Sequence, residues 1–380
     1  MDFSLTLEQE AVRDSARRFA KKEILPFASE WDEKGEFPLE LIKKAHQAGL
    51  LNIIQPAEYG GVGLSKFEAA LVIEELASAC AGVTTSLVAN DLALLPISLF
   101  GTKEQKERFL KPIAEAGLLA SFCLTEPQAG SDAAGIVTEV KKDGDSYIIS
   151  GQKQWITNGG LASQYTVFAT LDKTKRHKGI CCLVVPANTK GVSHGKHENK
   201  LGQRASNTAA VFFNEVRVPK ENLIGKEGEG FKVAMTTLDH SRPLTAAIAV
   251  GIAKAAFEYS KAWALERKQF GQPIANFQAI QFMLADMYTN LTAARLLTLT
   301  ATRKLDKGEK AALESTMAKR FSADIAMEAA TNAVQIYGGY GYSKEYPVEK
   351  IFRDAKLLQI YEGTSQIQRI VIARELLKEE

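Results

Sequence analysis

Residues 138–149 read Thr138-Glu139-Val140-Lys141-Lys142-Asp143-Gly144-Asp145-Ser146-Tyr147-Ile148-Ile149. Thr138–Lys142 and Tyr147–Ile149 are runs of strand formers, and Asp143-Gly144 supplies the positive φ of a tight turn, so the stretch predicts a β-hairpin. On its C-terminal side, Tyr165–Thr170, Ile180–Val185 and Ala209–Val218 are rich in β-branched and aromatic residues and read as further strands. On its N-terminal side the strand pattern begins near Ser121. Before that the period is helical. Thr6 with Gln9, Ser65 with Glu68 and Thr102 with Gln105 each fit a helix-start capping box, and Pro26, Pro38 and Gly60-Gly61 punctuate between them. Leu39, Ile42, Ala45 and His46 follow helical spacing, which makes His46 a helix residue without catalytic interest. From about Gly230 the helical period returns, over Lys232–Leu238, Pro243–Arg267, Ala279–Lys307 and Lys310–Ile336. Breaks fall at Gly271-Gln272-Pro273 and Gly338-Gly339-Tyr340-Gly341. The expected fold is thus α+β and multidomain: an N-terminal α-helical domain (1–120), a middle antiparallel β domain (121–229) and a C-terminal helical bundle (230–380).

The 380 residues, 46% hydrophobic and 24% charged, describe an ordinary soluble globular protein. A net charge of +2 suggests neither nucleic acid nor an anionic membrane as main partner. The four cysteines lack zinc-ribbon or redox spacing, which suits a reduced, intracellular compartment. Met1-Asp2-Phe3-Ser4 carries no leader signal, so a cytoplasmic or organellar-matrix location is expected. Val83–Phe100 is the most apolar stretch, but Asn90, Asp91 and Pro96 interrupt it; a buried helix is expected there, not membrane insertion. His194 and His197 have no third ligand nearby, which argues against a metal site.

No P-loop, dinucleotide-binding glycine fingerprint or nucleophile elbow is present. Two polar-aromatic patches stand out in the β region: Phe122-Cys123-Leu124-Thr125-Glu126-Pro127-Gln128-Ala129-Gly130-Ser131-Asp132 and Gln154-Trp155-Ile156-Thr157-Asn158-Gly159-Gly160. The first ends a strand in small and hydroxyl residues suited to close approach of a ligand. The second puts Trp155 and Thr157 on one strand face, an aromatic platform beside a hydroxyl donor. A turn and a core tryptophan would produce the same pattern. In Glu266-Arg267-Lys268-Gln269-Phe270-Gly271, Arg267 and Phe270 fall three apart, on one helix face, with Gln278 eleven residues after Arg267. An arginine and an aromatic beside a helix break suit a pyrophosphate or ring system, or simply a solvated surface. Near the C-terminus, Lys356-Leu357-Leu358-Gln359-Ile360-Tyr361-Glu362-Gly363-Thr364-Ser365-Gln366-Ile367-Gln368-Arg369 places Glu362 in a loop before a helix capped by Thr364 or Ser365. Such a glutamate either complements the helix dipole or performs chemistry.

Segments 121–132, 154–160, 266–287 and 335–370 resemble the acyl-CoA dehydrogenase family in order and spacing, and the similarity runs essentially the whole chain. The resemblance implies an N-terminal helical domain, a middle β domain and a C-terminal four-helix bundle, assembled as a homotetramer. It implies FAD as cofactor and Glu362 as the base that removes the α-proton of an acyl-CoA while a hydride leaves the β carbon toward flavin N5. The product is a trans-2-enoyl-CoA, and the electrons pass to an electron-transferring flavoprotein. Phe122, Leu124, Thr125, Ser131, Trp155 and Thr157 match cofactor contacts. Arg267, Phe270, Gln278, Gln335 and Gly339 match positions reaching the FAD of a neighbouring subunit, and Thr364 and Gln366 match further cofactor contacts. Ser131, Asp239, Ser241, Arg242 and Gly363 match positions lining the acyl-CoA site. Family members with a shifted base carry a glutamate at the position of Ser241; serine cannot serve, which agrees with Glu362. The expected substrate is a straight short- to medium-chain acyl-CoA. A branched-chain dehydrogenase is the nearest alternative. An acyl-CoA oxidase, whose usual extra C-terminal domain is not found, and a catalytically silent binding or assembly homologue stand further off.

Overall fold

The computed structural model describes residues 4–378; Met1–Phe3, most of the segment read for a leader signal, lie outside them. Seven α-helices come first: α1 (Leu7–Phe19), α2 (Ala28–Lys34), α3 (Leu39–Gln47), α4 (Lys66–Ala79), α5 (Ala81–Phe100), α6 (Lys103–Gln105) and α7 (Lys111–Glu115). All three capping boxes form, with Thr6, Ser65 and Thr102 at the N-caps. Asn90, Asp91 and Pro96 interrupt the apolar run of α5 but not the helix. Asn90 donates to Asn52 Oδ1 and to the Leu118 carbonyl, while Asp91 accepts from the backbone of Ile53 and Ile54. Among the described residues this helix alone is long and apolar enough to cross a membrane, and it is mostly buried inside the protein.

The sheet follows: β1 (Ala120–Cys123), β2 (Glu139–Asp143), β3 (Ser146–Thr157), β4 (Gln164–Thr170), β5 (Ile180–Pro186), β6 (Val192–His194), β7 (Thr208–Pro219) and β8 (Leu223–Ile224). Its order is β6-β7-β3-β2-β4-β5-β8, with β1 also on β4. The expectation of a purely antiparallel sheet needs correction, because β1 and β2 both run parallel to β4. Strand alternation cannot reveal pairing direction, so this was hidden in the sequence. The predicted hairpin forms, shifted by one residue: Asp143 pairs with Ser146, leaving Gly144-Asp145 as the turn, with Gly144 at φ +57°.

Past the sheet come α8 (Gly230–Glu266), a tight ribbon β9 (Lys268–Gln269) and β10 (Gln272–Pro273), then α9 (Gln278–Asp306), α10 (Ala312–Tyr337), α11 (Pro347–Leu358) and α12 (Ser365–Leu376). The segments read separately as Lys232–Leu238 and Pro243–Arg267 are one helix: α8 runs 37 residues, through Pro243. Residues 241–253 of α8 are all buried, and Ser241 Oγ lies 3.3 Å from the Leu238 carbonyl in the turn before the proline. Packing outweighs the local penalty of proline here. Arg267 and Phe270 do not share a helix face: α8 stops at Glu266, Arg267 is its C-cap, and Phe270 is at the ribbon tip. Phe270 at φ +51° and Gly271 at φ +79° are the two central residues of that turn. The N-terminal and C-terminal helices share one apolar core, while a second joins α5, the sheet and the start of α8. That second core fixes the sheet beside the segment of α8 that carries Asp239, Ser241 and Arg242.

Candidate active site

Between α11 and α12 the chain makes a strained turn. Glu362 has φ +53° and Gly363 φ +92°. The φ of Gly363 favours glycine, and a β carbon there would come within 2.6 Å of Gln368 Nε2 and displace that amide. Thr364 caps α12 by accepting from Ile367 N at 3.1 Å. Asp324 of α10 holds the loop from below, accepting from Ser365 Oγ at 2.8 Å, Gln359 Nε2 at 3.0 Å and Arg369 at 2.9 Å. Gln368 Nε2 donates to the carbonyls of Glu362 and Gly363, and Lys319 Nζ to that of Gly363 at 2.6 Å. These partners over-determine a backbone conformation that a glutamate seldom adopts, as a functional turn requires.

The Glu362 carboxylate lies against α8, where Ser241 Oγ donates to Oε2 at 3.0 Å. Burial pushes its pKa up, opposed by hydrogen bonds from Thr245 and Ser241 and by the charges of Lys319 and Arg242. Arg242, itself buried, donates to Asp239 Oδ1 at 2.6 Å. Its Nε is buried without a partner among the described residues, an unused donor beside the base. Of the substrate positions inferred from the sequence, Asp239, Ser241, Arg242 and Gly363 therefore gather around Glu362.

The two patches of the sheet are laced together. Ser121 Oγ donates to the Thr157 carbonyl, Gln154 N to the Thr125 carbonyl, and Lys153 Nζ to the Leu124 carbonyl. Phe122 packs on Phe168 with ring centroids 4.9 Å apart, and Leu124 is buried. Trp155 stands on a bulge between paired residues Lys153 and Ile156, with φ +60°, and remains 58% exposed. The core reading of this tryptophan therefore fails. The bulge puts Gln154, Trp155 and Thr157 on the side away from buried Lys153 and Ile156. Ser131 is exposed next to Gly130, whose α carbon faces open space. An exposed indole, with Thr157 on its own strand and the Thr125 carbonyl bonded to the neighbouring Gln154, fits a planar ring with a polar, phosphorylated tail.

At one end of the bundle, Arg267 lies over the Tyr340 ring at 5.1 Å, which brings it to the 338–341 break containing Gly339. Phe270 is 93% exposed and meets only the edge of Phe277 among rings of the described residues. Gln278 opens α9, Gln335 is exposed near the end of α10, and Gln366 is exposed in the first turn of α12. His46 Nε2 donates to the Ala114 carbonyl at 3.0 Å from within α3, and no group of three metal-ligating side chains occurs among the described residues.

Sequence reasoning missed three features. Lys319 and Gln368 hold the base loop, and Glu126 inside the first patch forms a buried ion pair with Lys153 at 2.7 Å. A signal existed for Lys319: it falls at helical spacing with Ser322, Ala323 and Ala326, all buried. A charge on an apolar stripe is a reason to look.

The chain matches the profiles described as acyl-CoA dehydrogenase N-terminal domain over residues 6–117, middle domain over 121–216 and C-terminal domain over 228–377. It belongs to the acyl-CoA dehydrogenase family and is an FAD-dependent enzyme of that class. It is 44% identical to the short-chain specific acyl-CoA dehydrogenase of Clostridium acetobutylicum, covering 100% of both chains. Butyryl-CoA dehydrogenase from Megasphaera elsdenii has the same fold with a TM-score of 0.97, at 43% identity and 100% coverage of both chains. A chain in the structure reported for the electron transferring flavoprotein of Acidaminococcus fermentans matches equally well, with TM-score 0.97, 46% identity and 100% coverage of both.

Proposed function

We propose that this enzyme oxidises a straight short- to medium-chain acyl-CoA to its trans-2-enoyl-CoA, with Glu362 as the base, and passes the electrons to an electron-transferring flavoprotein. The observation that carries the reading is the contact between Ser241 and Glu362: the two places from which the family can supply a base meet, and only Glu362 brings a carboxylate. Glu362 would take the α-proton on its carboxylate, and its raised pKa suits a base that must accept that proton near neutral pH. The backbone N–H of Glu362 would stabilise the thioester oxygen as negative charge gathers there. Bound FAD supplies the acceptor for the hydride.

Phe122, Leu124, Thr125, Ser131, Trp155, Thr157, Thr364 and Gln366 would hold that FAD. Arg267, Phe270, Gln278, Gln335 and Gly339 would complete the site of a neighbouring subunit in a homotetramer, a reading supported by the exposed Phe270 tip. The division 1–120, 121–229 and 230–380 and a cytoplasmic or matrix location belong to the same proposal. The short-chain preference rests on the named specificities of the Clostridium and Megasphaera relatives, and the electron acceptor on the Acidaminococcus structure. Glu362→Gln should keep its FAD and lose turnover by roughly 100-fold or more, the range expected for a general base. Wild-type turnover in that variant, measured against butyryl-CoA, would remove Glu362 from the role.

A further inference from the structure

Lys319 is fully buried in α10, and no part of the reaction described above uses it. Burying an ammonium is unfavourable by several kcal/mol unless charge and hydrogen bonds compensate, roughly as for any ion in a protein interior. Among the described residues no carboxylate forms an ion pair with Lys319. Its hydrogen bond goes to a neutral acceptor, the carbonyl of Gly363 directly after Glu362, at 2.6 Å. Burial draws its pKa down to about 8, with Glu362 and Asp324 pulling the other way and Arg242 adding to the fall. A methionine would fill the same space without this penalty, so stability alone gives no reason for a lysine.

We propose that Lys319 is a positioning residue for the base: it clamps the Gly363 carbonyl and supplies, with Arg242, the positive charge that keeps the Glu362 carboxylate ionised inside the protein. The proposal rests on the reading of Glu362 as the base. The geometry separates two contributions. The hydrogen bond to Gly363, reinforced by Gln368 on the same carbonyl, fixes the peptide that follows the strained Glu362 and hence the direction of its side chain. The charge acts through space and opposes the effect of burial on the carboxylate. The charged groups around Glu362 are few. From α8 come Asp239 and Arg242, which pair with each other. From α10 come Lys319 and Asp324, the latter already engaged by Arg320 and by Arg369 of α12. Glu375 and Lys378, at the chain's far end, act on Asp239. Lys319 is thus the one cation here whose charge is not committed to a carboxylate contact among the described residues.

The test uses the purified holoenzyme and the rate of flavin bleaching against pH, with whichever of butyryl-, octanoyl-, isobutyryl- or isovaleryl-CoA reacts fastest. Lys319→Gln keeps an N–H donor and loses the charge; Lys319→Met loses both. The acid limb of the pH profile should move to higher pH in both variants, by roughly half a unit or more, as expected on removing a nearby opposite charge. On the alkaline plateau Lys319→Met should fall further below Lys319→Gln. An unmoved acid limb, even with a lower plateau, would leave Lys319 a merely structural residue and overturn the proposal. If Lys319→Met does not fold, the limb of Lys319→Gln decides alone. Glu362→Gln is measured beside them: if it turns over, the base reading itself fails, whereas a dead Glu362→Gln with unmoved Lys319 limbs refutes only the role of Lys319.

Discussion

At the scale of single residues, the centre of the site is a pair that occupies unusual backbone space, Glu362 at φ +53° and Gly363 at φ +92°. Glu362 was legible in the sequence only as a carboxylate before a helix cap; its strain, and the partners that sustain it, come from α8 and α10 and have no local signature. Gly363→Ala should destabilise the protein by about 1–3 kcal/mol, the usual scale for a non-glycine residue forced into such a conformation. Turnover should fall with it, since the added carbon meets Gln368, which orients the loop. Urea unfolding and steady-state turnover check both; unchanged values would show that the turn tolerates side chains. For pH, the sign follows from the charged form being the active one. Burial raises the Glu362 pKa, so activity should climb with pH through a midpoint above the ordinary glutamate value near 4.5. An acid limb at or below that value would contradict the buried setting.

Among elements, the lesson is how two sequence patches become one surface. The patches 122–132 and 154–160 were visible as small, hydroxyl and aromatic residues at strand ends. Their union depends on Lys153, which reaches across to the Leu124 carbonyl and to Glu126, with both charged groups buried. Glu126 also accepts from the backbone of Val137 and Thr138, so one carboxylate ties the loop to the segment that leads into β2. Lys153→Met should cost about 3–5 kcal/mol, because it strands a buried carboxylate. It should also weaken FAD retention by loosening the loop that carries Thr125 and Ser131, read as flavin absorbance per protein after gel filtration. Full stability and full flavin would show that the pair is dispensable. Element type was readable where local chemistry fixes it, as in the three capping boxes and the Gly144 turn. It was misread where packing overrides propensity, as at Pro243, and where a turn hid inside a helical spacing, as at Arg267 and Phe270.

For the whole molecule, the α–β–α order followed from two changes of period in the sequence, at Ser121 and Gly230, but strand direction and the shared core of the two helical regions did not. That core needs contacts across more than 200 residues, exemplified by Glu74 of α4 accepting from Arg295 of α9. One global consequence concerns Asp91, whose pKa burial pushes up to about 7, opposed by hydrogen bonds from Gln55, Ile54 and Ile53. Between its ordinary value of 3.8 and about 7 the folded state binds the proton more tightly than the unfolded chain. Its contribution to stability is therefore complete below the ordinary value and is lost as pH rises through about 7. The difference in melting temperature between Asp91→Asn and wild type should grow more favourable to the variant from pH 5 to pH 8 (roughly the window set by that shift). A constant difference would mean that Asp91 keeps its charge throughout. The central claim, a base-and-flavin dehydrogenation of an acyl thioester, is tested most directly by an anaerobic visible spectrum of the purified protein titrated with butyryl-, octanoyl-, isobutyryl- and isovaleryl-CoA. Rapid bleaching of the flavin band by a straight-chain thioester is the predicted result, and the fastest of them ranks chain length. Bleaching by a branched thioester alone would move the enzyme to branched substrates, and a flavin band untouched by all four would contradict the account.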